Sequence, residues 1–210
     1  MRKLLLSGFA AMALSGGAAF AQDASPQIIR GTIDAATPAR LSLTTRDGSK
    51  LTITLAQNVT VTDIIRSSLA AVKSGSYIGT AAIKQPDGQY RAIELQVFPE
   101  SMRGIGKGTR PWNLTKTSTM TNGTVGAMTQ TNGTVGTVSG GGDVTLSVND
   151  GTGRKTILVP STVPVVTYQP GNARELAPGG HVLLFATKTA SGALTTSRVN
   201  IGKDGLTPPM

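Results

Sequence analysis

Two copies of one β-rich unit run through the sequence, and this internal repeat restricts the fold more than any other feature. Residues 74–97 align without a gap on residues 178–201, at an offset of 104 residues, so that Gly75 meets Gly179. A repeat of this length is one supersecondary unit, and a unit this small buries its apolar surface best against a neighbour. The repeat therefore predicts two similar, mutually supporting units.

The repeat extends towards the start of each copy with two shifts of one residue. Residues 41–48 align on 144–151, and residues 31–33 align on 133–135. The two copies share a pattern of apolar and glycine positions more than they share identical residues. This pattern predicts one fold used twice.

Alternation of apolar and polar residues marks the strands of the first copy, as expected of strands with one buried face. Three such segments centre on Leu43, Ile53 and Leu95. The Asp-Gly pairs at 47–48 and 87–88 predict hairpin turns, because glycine readily adopts the positive φ that tight hairpins require.

A change of period separates the third strand from the fourth. Ile65, Leu69 and Val72 lie at helical spacing and predict a short helix, with Thr62 or Asp63 as its N-cap. Three strands, a helix and two strands is the order of an OB-fold, a five-stranded Greek-key barrel. We therefore predict a mainly β protein with two tandem OB-like domains. One extended β-sandwich is the alternative.

The second copy carries Pro170 and Gly171 where the first copy has its predicted helix, so we expect only a turn around residues 172–176. The predicted divisions of the chain are an OB-like domain at 22–100, a basic Gly/Thr-rich connector at 101–142 that supplies part of the next strand, a second OB-like domain at 143–203 whose unit begins near 130, and a tail at 204–210.

The N-terminal residues 1–21 have the pattern of a signal peptide. A basic pair precedes the apolar run 4–20, and Ala19 and Ala21 are the small residues that a signal peptidase reads. We expect cleavage between Ala21 and Gln22, export to the periplasm, and a fall in formal net charge from +9 to +7. A retained membrane anchor is the alternative, but the run is short and interrupted by Ser and Gly.

The residue inventory excludes several classes of function. The chain has no Cys, which excludes disulfides, thiolate metal sites and Cys nucleophiles. Its one histidine, His181, aligns with Tyr77, and we expect it at a strand edge. A general base or a ligand is the alternative for His181, but no catalytic motif accompanies it. The carboxylates are scattered, so we expect no metal and no cofactor. The few aromatics and the predicted export argue against a nucleic-acid partner.

The most suggestive local feature is the segment 101–116, which combines basic residues with the single tryptophan. One interpretation is a binding surface for a phosphate, a lipid head group or an acidic polymer. The other is that the tryptophan is buried packing beside solvated basic groups. The glycines of this segment do not have phosphate-loop spacing. The candidate binding residues are Arg103, Lys107, Arg110, Trp112 and Lys116.

Several motifs resemble those of a protein family. They are RGTID at 30–34, the segment 76–104, TRPWNL at 109–114, STMTN at 118–122 and the ending 199–210. Together they resemble small exported proteobacterial proteins of unknown function, some of which carry the label "metal ABC transporter permease". The resemblance implies no catalytic residue. The label implies several membrane spans, and the sequence has one apolar run.

These observations predict a non-enzymatic periplasmic binding or interaction protein. Export, the basic excess and the missing catalytic sets indicate an anionic envelope component or a periplasmic protein as its partner. The alternative is a soluble accessory component of a metal or solute ABC transport system.

Overall fold

The computed structural model describes residues 25–130 and 142–210, and it is mainly β. The predicted cleavage site between Ala21 and Gln22 lies outside these residues. In the part that is described, no helix is long and apolar enough to cross a membrane. The strands, in chain order, are β1 (Gln27–Thr37), β2 (Arg40–Thr45), β3 (Lys50–Arg66), β4 (Tyr77–Lys84), β5 (Tyr90–Ala92), β6 (Leu95–Val97), β7 (Gly108–Pro111), β8 (Ser118–Gln130), β9 (Val144–Asn149), β10 (Arg154–Val159), β11 (Val165–Pro170), β12 (His181–Lys188) and β13 (Leu194–Gly202).

Five strands close the first barrel. β1 pairs with β2, β2 with β3, β3 with β13, β13 with β12, and β12 returns to β1. This closed ring confirms the predicted class of small, OB-like β-barrel. Alternate side chains of each strand point inwards, so apolar residues fill the interior. The buried core includes Ile29, Ile33, Leu41, Leu43, Ile53, Val182, Leu184, Val199 and Ile201.

A second ring of five strands is formed by β4, β5, β10, β9 and β8. The short strands β6 and β11 continue β5 and β10, and β7 lies on the outer edge of β8. We call this ring the second barrel. Its buried core includes Val72, Ile78, Leu95, Val125, Leu146, Val148, Ile157 and Val159.

The two copies of the repeat exchange their last strands. The first barrel takes β1–β3 from the first copy and β12–β13 from the second, whereas the second barrel takes β8–β10 from the second copy and β4–β6 from the first. The predicted domains, 22–100 and 143–203, therefore do not correspond to the barrels. An exchange of equivalent elements preserves the contacts of the unexchanged arrangement, so the strand pattern alone is compatible with both.

Strand pairing confirms the offset of 104 residues. In the first barrel Leu194 lies opposite Ile53, and in the second barrel Tyr90 lies opposite Ile157. Each residue of one pair is the equivalent of a residue in the other pair. The two barrels are therefore built on the same register, as the duplication predicts.

The helix predicted from Ile65, Leu69 and Val72 is wrong. β3 runs through Thr62 and Asp63 to Arg66, and one 3-10 turn, Leu69–Ala71, follows it. The β-branched run from Val59 to Ile65 favours a strand, and its backbone pairs with β11 and β13. The turn expected at 172–176 is confirmed as a 3-10 turn, Ala173–Glu175, in the equivalent place.

The first strand of the second copy lies ten residues earlier than predicted. Residues 133–135, the predicted equivalents of 31–33, lie outside the described residues. The sequence TNGTVG also occurs at 121–126, within β8, and there Gly123 lies opposite Ile78 as Gly31 lies opposite Val182. Because this hexapeptide occurs twice, the sequence pattern fits the first strand of the second copy equally well at either position.

A third apolar cluster joins the barrels. It combines residues of β3, β4, β8, β11 and β12 with Trp112, and the segment Leu206–Met210, here called the tail, packs into it. A 3-10 turn, Lys203–Gly205, leads into the tail. The segment predicted as a tail at 204–210 is therefore fixed at the junction, where Leu206 and Met210 are both buried.

Candidate functional site

A cleft of about 90 Å³ opens between the two barrels. We call it the inter-barrel cleft. Strands of both barrels, the segment before β7 and the tail all contribute to it, so it exists only because the barrels are joined. No acidic side chain lies among its lining residues. They are Gln96, Phe98, Met102, Ile105, Arg110, Trp112, Met120, Asn122, Tyr168, Leu183, Phe185, Arg198, Asn200 and Met210.

Trp112 lies at the base of the inter-barrel cleft with only 6% of its surface exposed. The guanidinium of Arg30 lies 5.5 Å from its ring centre and that of Arg110 lies 5.6 Å away. Both distances are within cation–π range. Arg110 also donates to the main-chain oxygen of Gly106 at 2.7 Å, and burial lowers the pKa of Arg110.

The rim of the inter-barrel cleft is apolar and open to solvent. Among the described residues three large apolar side chains are exposed, and two of them, Ile105 at 38% and Phe185 at 39%, line this cleft. Phe185 also packs 6.3 Å from the ring of Trp112. Exposed apolar groups gathered at one concave place mark binding surfaces more often than scattered ones do.

A row of aromatic rings reaches the inter-barrel cleft, where its members Phe98 and Tyr168 form one wall. Phe98 stacks on Tyr168 with ring centres 5.2 Å apart and planes 3° from parallel, and Tyr77 continues the row 5.5 Å from Phe98. Burial raises the pKa of Tyr168 well above its ordinary value, so this phenol stays protonated and donates a hydrogen bond. The row therefore consists of rigidly packed rings, and the Tyr168 hydroxyl is held in place by its hydrogen bond.

Hydrogen bonds lead from the wall of the inter-barrel cleft to a sealed acid. The hydroxyl of Tyr168 donates to Gln96 Oε1, and Gln96 Nε2 donates to Glu94 Oε1 at 3.1 Å. The main-chain N–H of Ala81 donates to the same Glu94 oxygen at 2.6 Å, whereas Glu94 Oε2 has no partner within the described residues. Burial raises the pKa of Glu94 to about 8, so the carboxyl is mostly protonated at neutral pH.

The structure separates the five candidate residues of the 101–116 segment. Arg110 and Trp112 line the inter-barrel cleft. Arg103 pairs with Glu100 and donates to the main-chain oxygen of Gly75 at 3.0 Å, so its charge is largely used locally. The other two, Lys107 and Lys116, are exposed and lie outside the cleft lining.

Sequence reasoning missed the cleft residues that the strand exchange brings in. Phe185 and Arg198 belong to the second copy but sit in the first barrel. Gln96 and Asn200 are equivalents at the offset of 104 residues and line the cleft from the two barrels. The sequence signal for these two residues was that both copies of the repeat carry a polar residue at the same strand position.

His181 lies at the start of β12, away from the inter-barrel cleft, with its Nδ1 3.0 Å from Thr32 Oγ1. The predicted position at a strand edge is confirmed. Across residues 25–130 and 142–210, no group of three or more His, Cys, Asp or Glu side chains is arranged to hold a metal ion.

In comparisons with known proteins, no family model, no curated protein and no solved structure matches this chain.

Proposed function

We propose that this protein is an exported, non-enzymatic binding protein that takes an apolar group bearing a negative charge into the inter-barrel cleft. The observation that carries the proposal is the combination of an exposed apolar rim at Ile105 and Phe185 with two arginines, Arg110 and Arg198, and no acid in the lining. An apolar group would pack on the rings, and its charge would meet a guanidinium.

The size of the inter-barrel cleft restricts the ligand. At about 90 Å³ it is smaller than a cavity of about 150 Å³ that holds benzene. Drug-sized ligands fill pockets of roughly 300–1,000 Å³. The cleft therefore suits the end of an alkyl chain or one apolar side chain, with the rest of the ligand lying over the rim. An acidic, apolar-tipped component of the cell envelope has this chemistry.

The single tryptophan makes the proposal directly testable. Trp112 forms the base of the inter-barrel cleft, so its fluorescence reports occupancy. Full-length protein would be titrated with straight-chain carboxylates from butyrate to octanoate and with alcohols of matching length. We expect a saturable fluorescence change with the carboxylates, and about tenfold weaker binding of the alcohols because they lack the charge-assisted bond.

Two variants decide the role of the arginines. Arg198→Gln should weaken carboxylate binding towards that of the alcohols, whereas Arg154→Gln, an exposed arginine of β10 far from the cleft lining, should leave it unchanged. Absence of any saturable change in wild-type fluorescence, or equal affinity in wild type and Arg198→Gln, would contradict the proposal.

A further inference from the structure

A second cavity, of about 170 Å³, lies between the tail and the first barrel. We call it the tail pocket. It is separate from the inter-barrel cleft, and the two share no lining residue. Strands β1, β2 and β12 supply one side and the tail supplies the other. Its lining is Arg30, Gly31, Thr32, Thr44, Thr45, Arg46, His181, Val182, Thr207 and Pro208.

Neither of the two arginines of the tail pocket forms an ion pair with an Asp or Glu side chain in the part of the chain that the structure describes. Arg46 donates to the main-chain oxygen of Pro208 at 3.0 Å. Arg30 donates to the main-chain oxygen of Met210 and, at 2.7 Å, to Asn113 Oδ1, and its Nη2 is buried without a partner. Oxygens of the tail therefore hold both guanidiniums in place.

The two guanidinium charges of the tail pocket lie close enough to repel each other. Burial, together with the neighbouring positive charge of Arg46, lowers the pKa of Arg30 to about 10, although Glu94 opposes this fall. The acids beside the lining threonines are occupied elsewhere. Asp34 accepts from the Thr44 hydroxyl at 2.8 Å and pairs with Lys50, and the exposed Asp47 accepts from the Thr45 hydroxyl.

The second copy of the repeat shows that the fold does not require a cation at the position of Arg30. The equivalent of Arg30 is Asn122, which is uncharged. Asn122 donates to the main-chain oxygen of Ile105 at 3.0 Å, just as Arg30 donates to that of Met210. A neutral amide thus suffices to hold the segment that follows the last strand of a copy. The charge at position 30 is additional to that structural task.

We propose that the tail pocket binds a phosphate or sulfate oxyanion between Arg30 and Arg46. Guanidinium groups match the geometry of such anions and bind them through charge-assisted hydrogen bonds. The imidazole of His181 and the hydroxyl of Thr32 add polar groups on the same side. A cavity of 170 Å³ has room for one tetrahedral anion with several waters, since a water occupies about 30 Å³.

Thr207 and Pro208 cover one side of the tail pocket, which favours a small soluble anion over a head group in a membrane surface. Calorimetry would titrate inorganic phosphate, and separately sulfate, into the full chain at low ionic strength in an amine buffer. A second arm would measure co-sedimentation with vesicles of phosphatidic acid. We expect phosphate to bind with one site per chain, and addition of salt to weaken it.

Matched arginine variants locate the site. Arg46→Gln should weaken phosphate binding about tenfold or more, and Arg40→Gln, an exposed arginine at the far end of β2, should have no effect. Because Arg46 does not line the inter-barrel cleft, this result is independent of carboxylate binding there. Absence of binding by both anions, an equal loss in Arg40→Gln, or co-sedimentation with vesicles without phosphate binding would overturn the proposal.

Discussion

Ile64 and Tyr168 lie opposite each other in the antiparallel pair of β3 and β11, and they are also each other's equivalents in the repeat. A shift of 104 residues converts the neighbouring pair Thr62 and Pro170 into Val166 and Arg66, which is the other end of the same ladder. The ladder is therefore symmetric about Ile64 and Tyr168. A pseudo-twofold axis passes between these two residues, where the two barrels meet.

The exchange of strands predicts that both barrels unfold together. Leu184 of β12 is fully buried in the first barrel, although its copy supplies most of the second barrel. Leu184→Ala should lower the free energy of unfolding by about 2–5 kcal/mol. Protection of amide hydrogens should fall in both barrels, measured by hydrogen exchange, whereas the exposed Lys188→Ala should change neither. Loss of protection confined to the first barrel would contradict this prediction.

The sealed carboxyl of Glu94 predicts a loss of stability as the pH rises. Its pKa is raised from 4.5 to about 8 by burial, so the folded state keeps a proton that the unfolded state loses. Stability from this group is full below about pH 4.5 and declines until about pH 8. Glu94→Gln, which retains the acceptor for Ala81 and Gln96, should flatten this decline and add on the order of 2 kcal/mol at pH 8.

Chemical denaturation of the two proteins at pH 5 and pH 8 measures the effect. If the free energy of unfolding depends on pH in the same way for wild type and Glu94→Gln, then Glu94 does not cause the decline.

Asp150 predicts the opposite dependence at acid pH. Burial alone would raise its pKa, but donors from Thr109 and Thr152 and the charge of Lys155 lower the pKa to about 2. Its contribution is therefore present above about pH 4 and is lost as the pH falls towards 2. Asp150→Asn should cost about 1–2 kcal/mol at pH 7 and nothing at pH 2, and the exposed Asp87→Asn should cost little at either pH. Thermal unfolding at the two pH values tests this difference.

Close backbone approach predicts that Gly123 and Gly31 tolerate no side chain. A Cβ at Gly123 would lie 2.5 Å from the main-chain oxygen of Asn149, and one at Gly31 would lie 2.6 Å from that of Thr44. Gly123→Ala should therefore destabilise the protein by about 1–3 kcal/mol. Gly126→Ala is the matched control in the same strand, because its nearest atom is 3.6 Å away. Equal urea midpoints for these two variants would refute the steric explanation.

Most of the strand pattern could be predicted from the sequence, because period-two alternation and Asp-Gly turns are local signals. Gly48 and Gly88 have φ of 86° and 85° in the turns predicted for them. The exchange of strands could not be predicted, since β12 offers β1 the same register as β4 would. What distinguishes the two arrangements is the path of the chain after Arg66, and alternation carries no information about that path.

The inter-barrel cleft was predictable only in part for the same reason. Arg110 and Trp112 stand out as a basic and aromatic pair within one segment. Phe185 and Arg198 are distant from that segment in the sequence. They reach the cleft because β12 and β13, which carry them, pack in the first barrel. The tail pocket was missed because Arg30 and Arg46 are ordinary strand and turn residues until the tail covers them.

The exchange of β12 and β13 also sets the order in which the two barrels can close during synthesis. The ring of the second barrel can close once β10, which ends at Val159, has been made, whereas the ring of the first barrel needs β13, which ends at Gly202. β1 leaves the ribosome well before its neighbour β12. A nascent chain therefore carries β1–β3 with unpaired edges until β13 has been made, and closing that ring is a late step with a large loop-closure cost.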